Sequence, residues 1–139
     1  GIYEENTNTI SEKKVSDIKN RVKIGNESSA DLFVSIHLNN FSDEKYYGWQ
    51  TFYKGGDENS KKLADAIQKN LNETISNENK RVTHTLNDIY IMKHVEIPIA
   101  LVECGFLSNP EEATNLQNNT YQLKIAWGIY DGIMDYFAY

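Results

Sequence analysis

The 139-residue sequence contains a single cysteine, Cys104, so no disulfide can form within the chain. The fold must therefore be stabilised by a hydrophobic core, and a lone thiol does not indicate an oxidising or a reducing compartment. Only two prolines, Pro98 and Pro110, are present, and no Pro-rich or Ser-rich stretch marks a linker. We therefore predict one continuous domain over residues 1–139.

The sequence also lacks an excess of positive charge and lacks long apolar runs. Fourteen Lys and Arg against twenty Asp and Glu give a net charge of −6, which provides no bulk attraction to nucleic acid or anionic lipid. The apolar run 99–102 is far too short to span a bilayer. Residues 1–5 carry neither the basic region nor the apolar core of a signal peptide. We therefore expect no nucleic acid binding, no membrane span and no signal peptide in this sequence.

Apolar periodicity predicts a layered α/β domain. Apolar residues recur at helical spacing from Val15 to Val22, after a possible N-cap at Ser11. The short apolar runs 32–36 and 99–102 are typical of strands covered on both faces, as in parallel sheets. We therefore predict a mostly parallel sheet flanked by helices. The predicted elements are, in order, a helix over 11–26, strands over 32–36 and 49–53, a helix over 57–75, strands over 89–92 and 99–102, and helices from 109 and over 120–137.

Two of the predicted helices begin with specific capping chemistry. Asp57 is placed to cap the helix that follows Gly55-Gly56. At the second helix start Asn109 is a good N-cap, Pro110 occupies the first helical position, and Glu112 falls where the acid of a capping box belongs.

Two predicted strands lead into residues capable of chemistry, His37 and Glu103. Ligands of α/β proteins collect beyond the carboxyl ends of the strands, so both side chains are candidates for one site. They would suit a metal ligand with a general base, or an acid/base pair without metal. From its position alone, a histidine such as His37 is more often a hydrogen-bonded loop residue. A buried carboxylate such as Glu103 costs several kcal/mol unless it has a partner, which favours a functional role.

Two motifs resemble a known family. Residues 31–39 read DLFVSIHLN, and residues 101–113 read LVECGFLSNPEEA. They are similar to the D-L-F-x-S-I-H-x-N and L-V-E-x-G-F-L-S-N-P-x-E-A segments of the zinc-dependent N-acetylmuramoyl-L-alanine amidases. Asn20-Arg21 also matches the family, and the resemblance extends over essentially the whole chain. Within the family, the residues around Glu103 and the segment 46–53 most resemble the subgroup that acts on the spore cortex.

The resemblance implies a bacterial hydrolase of peptidoglycan. Members of the family cut the amide between the lactyl group of N-acetylmuramic acid and the first L-alanine of the stem peptide. They hold one zinc ion through a histidine, a glutamate and a second histidine. His37 matches the second histidine, and Glu103 matches the catalytic glutamate; no substrate-binding residue is assigned. The resemblance also implies export to the cell wall or the spore cortex.

The sequence departs from the family pattern in one respect. The family's N-terminal strand, its G-H-G-G turn with the first histidine, and its helix with the ligand glutamate are not found here. We therefore expect residues 1–139 to be the C-terminal portion of one catalytic domain, with the other zinc ligands supplied by upstream sequence. We also expect association with that segment or with another protein chain. The alternatives are a catalytically inactive peptidoglycan-binding or scaffold module, and a zinc peptidase on a similar sheet.

Further residues have two interpretations each. His84 and His94 flank the third predicted strand and could replace a missing zinc ligand, although exposed loop histidines are more common. Cys104 follows Glu103 directly and could be a reactive thiol only in an electropositive, partly open place, so it is expected to be inert packing. The tyrosines and the tryptophan of 46–53 could stack on sugar rings or pack on the helix from Asp57. The asparagines at 39–40 could bind substrate amides or form a turn.

Overall fold

The computed structural model describes residues 4, 9–39, 47–76, 78 and 81–138. The predicted turn before Tyr47, most of the predicted loop 77–80, and the candidate residues Asn40 and Tyr46 lie outside this part of the chain. The described residues form five helices and four strands. These are α1 (Ile10–Glu27), β1 (Phe33–Asn39), β2 (Gln50–Tyr53), α2 (Glu58–Thr74), β3 (His84–Thr85), α3 (Tyr90–His94), β4 (Ile99–Phe106), α4 (Pro110–Leu116) and α5 (Asn119–Ala138).

The four strands form one sheet in the order β1-β4-β2-β3. The β1–β4 and β2–β3 pairs are parallel, whereas β2 runs antiparallel to β4. The predicted α/β fold is confirmed, and the sheet is mixed. Only residues 40–49 join β1 to β2, which is short for a crossover between parallel strands, and β2 accordingly runs opposite to β1.

Helices cover the sheet on both faces. On one face Val102 and Cys104 of β4 pack into a core formed mainly by α2 and α5. On the other face Ile99 and Leu101 pack against α1 and α3. The alternation along β4 follows from the period of two in a strand, which sends successive side chains to opposite faces.

Two glycines allow α5 to lie close against α2. A Cβ on Gly132 would stand 2.5 Å from the Cα of Ile67, and a Cβ on Gly128 would stand 2.7 Å from a methyl group of Leu71. Any larger side chain would push the helices apart. The close contact seals the core on this face of the sheet, behind the strand that carries Glu103.

The helix starts are mostly as predicted. Asp57 caps α2 by accepting hydrogen bonds from the N–H groups of Asn59 and Ser60. The predicted cap at Ser11 is wrong, because Thr9 caps α1 two residues earlier. The Thr9 side chain and the Glu12 side chain accept from each other's backbone N–H in a capping box.

The predicted strand over 89–92 is wrong. Its residues form the start of α3, with Ile91 and Met92 buried. A four-residue apolar run does not distinguish a buried strand from a buried helix, because periodicity needs a longer window. The strand in this region is instead β3, a two-residue strand that pairs with β2. Within the described residues, no helix is long and apolar enough to cross a membrane.

Candidate functional site

The sheet places His37 and Glu103 directly side by side. His37 of β1 is the register partner of Glu103 of β4 in the parallel pair. Register partners on neighbouring strands project from the same face of a sheet, so the imidazole and the carboxylate share one surface. β4 continues to Phe106, beyond the predicted end of this strand at residue 102. The register of the pair shifts between His37 and Asn39, so the regular pairing ends at the two candidate residues.

Glu103 is half-buried in an otherwise buried strand. Its Oε2 atom is buried and has no hydrogen-bond partner among the described residues. Burial raises the pKa of the Glu103 carboxyl above its usual value. A buried carboxylate oxygen without a partner is costly, so this atom suits a site that receives a proton or faces a cation.

His37 lies on the strand at one edge of the described sheet. Its Nε2 atom is 2.6 Å from the hydroxyl oxygen of Ser35, two residues earlier on the same face. Although His37 is exposed overall, partial burial of its ring lowers the pKa, and the positive charge of Arg21 lowers it further. Both effects favour the neutral imidazole, which is the form that binds metal.

Gln50 lies on the strand on the other side of Glu103 and is hydrogen-bonded to Arg81. Gln50 is the antiparallel register partner of Glu103 on β2, so His37, Glu103 and Gln50 form a row across three strands. The Gln50 side chain accepts a hydrogen bond from Arg81 at 3.2 Å and donates to the carbonyl of Val82 at 2.9 Å. Neither residue is among the predicted site residues. The available signal was a polar Gln on the same strand face as the apolar Phe52.

Glu112 does not have the predicted capping-box role. Asn109 caps α4 and Pro110 occupies its first turn, as predicted. The Glu112 carboxylate instead accepts hydrogen bonds from the backbone N–H groups of Gly48 and Phe106. Burial raises the pKa of the Glu112 carboxyl, and the two N–H donors and the Arg81 guanidinium act in the opposite direction.

The described residues do not contain a complete metal site. Among them, no three His, Cys, Asp or Glu side chains come together to hold a metal ion. His84 lies on β3, at the opposite edge of the sheet from His37. His94 ends α3 and stacks on Tyr90, with ring centroids 4.2 Å apart. The structure therefore places neither His84 nor His94 at the candidate site.

Three of the other candidate residues, Cys104, Trp49 and Tyr53, pack in the core. Cys104 is buried on the opposite face from Glu103, and burial with the nearby Glu103 charge raises the pKa of its thiol to about 12. Trp49 is buried in the α2–α5 core and donates to the Asn72 side chain on α2 at 2.8 Å. Tyr53 packs against the same core, whereas Tyr47 is exposed.

A family model and a curated relative that match this sequence are both described as N-acetylmuramoyl-L-alanine amidases. The family model described as N-acetylmuramoyl-L-alanine amidase matches residues 3–135. The germination-specific N-acetylmuramoyl-L-alanine amidase of Bacillus subtilis is 43% identical over 134 residues, covering 96% of this chain and 56% of its own length. The chain thus spans little more than half the length of this curated relative.

Solved structures of similar proteins share the fold. The CwlD amidase of Clostridioides difficile, solved in complex with the GerS lipoprotein, has a TM-score of 0.92 and 47% identity, covering 97% of this chain and 68% of that one. An N-acetylmuramoyl-L-alanine amidase from Clostridium difficile 630 has a TM-score of 0.80 and 32% identity, covering 87% of this chain and 65% of that one. The family match, the fold and the paired motifs agree: this chain belongs to the N-acetylmuramoyl-L-alanine amidase family.

Proposed function

We propose that the chain is the C-terminal portion of an amidase that hydrolyses the bond between the lactyl group of N-acetylmuramic acid and L-alanine in peptidoglycan. The observation that carries the proposal is the register pairing of His37 with Glu103, whose buried Oε2 atom has no partner among the described residues. The relative in Bacillus subtilis is named as germination-specific, so we further propose the spore cortex or the cell wall as the place of action.

The residues present fit one part of a zinc site. His37 offers an imidazole, a common zinc ligand, whose lowered pKa favours the neutral form, and Glu103 is its register partner. The remaining ligands would come from polypeptide other than the described residues. When bound, zinc supplies Lewis acidity, lowering the pKa of water to roughly 7 and polarising the amide carbonyl.

Glu103 performs the proton transfers in this proposal. Its carboxylate accepts a proton from the attacking water as the oxygen bonds to the carbonyl carbon. It then returns that proton to the amide nitrogen as the carbon–nitrogen bond breaks. The products are a free lactyl carboxylate and the amine of L-alanine. Half-burial of Glu103 supports the role, since a carboxyl with a raised pKa is a better proton carrier near neutral pH.

Product analysis tests the proposed bond. The chain, joined to the upstream polypeptide that completes its zinc site, is incubated with purified peptidoglycan. We expect new L-alanine amino termini and free lactyl groups, both abolished by a chelator and restored by zinc. Cleaved stem peptides would identify a peptidase instead. Zinc binding without any cleavage would identify a binding or scaffold module.

The described chain alone is proposed to be inactive. With one candidate zinc ligand, His37, it should bind zinc weakly and leave peptidoglycan intact, because a catalytic zinc site uses three protein ligands. The measurement is cell-wall digestion by the 139-residue polypeptide with zinc added. Digestion that a chelator abolishes would refute the assignment of missing ligands.

Association with further polypeptide is proposed for the β1 edge. Ile36 and Leu38 on this strand are 61% and 52% exposed, and exposed apolar residues on an open strand edge favour pairing. The Clostridioides difficile relative was solved in complex with a lipoprotein. We expect the isolated chain to self-associate or to bind its upstream segment or a protein partner. A strictly monomeric chain in light scattering, with and without the upstream segment, would contradict this.

A further inference from the structure

Glu112 joins the ends of two neighbouring strands. One carboxylate oxygen accepts from the N–H of Gly48, just before β2, and the other accepts from the N–H of Phe106, the last residue of β4, at 2.5 Å. Phe106 lies three residues after Glu103 on the same strand. The Glu112 side chain therefore fixes the start of β2 against the strand that carries the proposed proton carrier.

Arg81 is hydrogen-bonded to the same segment before and at the start of β2. Its Nε and Nη2 atoms donate to the carbonyl of Tyr47 at 3.2 and 2.9 Å, and Nη1 donates to the Gln50 side chain at 3.2 Å. The guanidinium also lies 5.6 Å from the centre of the Phe106 ring. Glu112 and Arg81 thus bind the segment 47–50 at three groups, which are the Gly48 N–H, the Tyr47 carbonyl and the Gln50 side chain.

The local backbone is shaped around Glu112. Glu112 is only 8% exposed, and a buried carboxylate is costly unless it is hydrogen-bonded. A Cβ on Gly105 would stand 2.7 Å from Glu112 Oε2, so the glycine leaves the space that the carboxylate occupies. Gly48 has a φ of 97°, a conformation that favours glycine, in the backbone that presents its N–H to Glu112. A helix that needed only a cap would not require this arrangement.

We propose that Glu112 and Arg81 are positioning residues of the amidase site. By fixing residues 47–50 against the end of β4, they hold Gln50 beside Glu103 and keep the Glu103 carboxylate in its place in the row. The inference rests on the proposed function, since the position of Glu103 matters only if it transfers protons.

The first test replaces Glu112 by glutamine in the zinc-loaded enzyme completed by its upstream polypeptide. Gln has one acceptor oxygen, so it can serve only one of the two N–H groups. We expect kcat on peptidoglycan to fall about 100-fold, the loss typical of a small misplacement of a catalytic group. KM and bound zinc should change less than about twofold. Amide exchange at Gly48 and Phe106, followed by NMR, should become faster.

Two control variants separate positioning from general destabilisation. Glu111→Gln removes the same charge from the neighbouring, exposed position of α4 and should leave kcat unchanged. Asn70→Ala removes part-buried hydrogen bonds to the Ala66 carbonyl and to Asp135 of α5, outside the residues that contact the candidate site. It should lower the melting temperature without changing kcat. If it lowers kcat as much as Glu112→Gln at an equal loss of melting temperature, the positioning role is refuted.

A double-mutant cycle tests whether Arg81 and Glu112 act through the same segment. Lysine at position 81 keeps the charge but lacks the planar fork that donates twice to the Tyr47 carbonyl and once to Gln50. If both residues act through 47–50, Arg81→Lys with Glu112→Gln should lose about as much kcat as the worse single variant. A loss equal to the product of the two single losses would overturn the shared role.

The exchange measurement keeps this inference separate from the proposed function. If wild-type enzyme with zinc does not cleave peptidoglycan, the proposed function fails. The fixing of residues 47–50 by Glu112 is still tested by amide exchange, which does not depend on turnover. Unchanged protection of Gly48 and Phe106 in Glu112→Gln refutes the inference, whether or not the enzyme is active.

Discussion

β4 and β1 carry the two candidate residues in register, yet the two strands are buried very differently. Every residue of β4 except Glu103 is buried, whereas β1 has no fully buried residue and exposes Ile36, His37 and Leu38. β4 lies between β1 and β2, while β1 lies at an edge of the described sheet. Helices cover β4 on both faces.

Because the two strands differ in burial, Glu103 and His37 have different surroundings. Glu103 is half-buried, and this burial within the chain described here raises the pKa of its carboxyl. His37 is positioned along its strand, but its surroundings remain open. A metal ligand needs its ring held in one orientation by neighbouring groups. In the site that we propose, the chain described here therefore shapes the surroundings of the proton carrier, and the surroundings of the metal ligand depend on further polypeptide.

Removing the charge at Glu103 should have the largest effect. In the completed enzyme, Glu103→Gln should lower kcat by about 10²- to 10⁴-fold, since glutamine cannot accept the proton of water. Bound zinc, measured by elemental analysis, should stay at the wild-type level. Loss of zinc together with activity would mean that Glu103 is a ligand rather than the proton carrier.

The same substitution should change stability in a pH-dependent way. Burial raises the pKa of Glu103 in the folded chain above its ordinary 4.5, so the folded chain holds this proton more tightly than the unfolded chain. The stability that this group contributes is present below pH 4.5 and is lost as the pH rises through the folded pKa. Metal-free Glu103→Gln should therefore melt at a higher temperature than wild type at pH 7, and the difference should close towards pH 4. A pH-independent difference would contradict this.

Much of the fold could be predicted from the sequence where local patterns are strong. The apolar runs of β1 and β4, the Asp57 cap of α2 and the Asn109-Pro110 start of α4 are all local signals, and the structure confirms them. The segment 89–92 failed because a buried four-residue run fits a strand and a helix equally well. β3 could not be predicted, because its two residues are a strand only through pairing with β2.

The candidate site was predictable only in part. The motifs around His37 and Glu103 identified both residues and the sheet edge where they meet. Gln50, Arg81 and Glu112, which we propose as further residues of the site, were not predicted because their contacts reach across 31 to 64 positions of sequence. A glutamate three residues after Asn109 has a good local explanation as a capping acid. Tertiary contacts with Gly48 and Phe106 replaced that role.

The two faces of β4 should differ in reactivity. Glu103 is partly accessible, whereas burial raises the pKa of the adjacent Cys104 thiol to about 12 from an ordinary 9.0. At pH 8 the native thiol should react with iodoacetamide at least about 10³-fold more slowly than in the urea-unfolded chain, because only the thiolate reacts. Mass spectrometry over a time course measures both rates. Rapid labelling of the folded chain would show that the α2–α5 face is not sealed.

Replacing a leucine by alanine should lower the free energy of unfolding by very different amounts on β4 and on β1. Leu101→Ala on β4 removes a side chain that is 3% exposed and should lower the free energy of unfolding by about 2–5 kcal/mol. Leu38→Ala on β1 removes a side chain that is 52% exposed and should change it by less than about 0.5 kcal/mol in the chain alone. Urea denaturation measures both. In the presence of the upstream segment, the cost at Leu38 should rise, and an unchanged cost would show that this segment does not cover β1.

The smallest effect concerns the charge that acts on His37. Arg21 of α1 lowers the pKa of His37, in addition to the larger effect of burial. Removing this charge by Arg21→Gln should raise the pKa of His37, measured by the NMR chemical shifts of the imidazole in the metal-free chain. Lys23→Gln removes an exposed positive charge two residues along the same helix and should leave the titration unchanged. If both variants shift the pKa equally, the His37 ring responds only to net charge. A shift confined to Arg21→Gln would show that α1 already tunes the open half of the site through one nearby guanidinium, before any further polypeptide joins it.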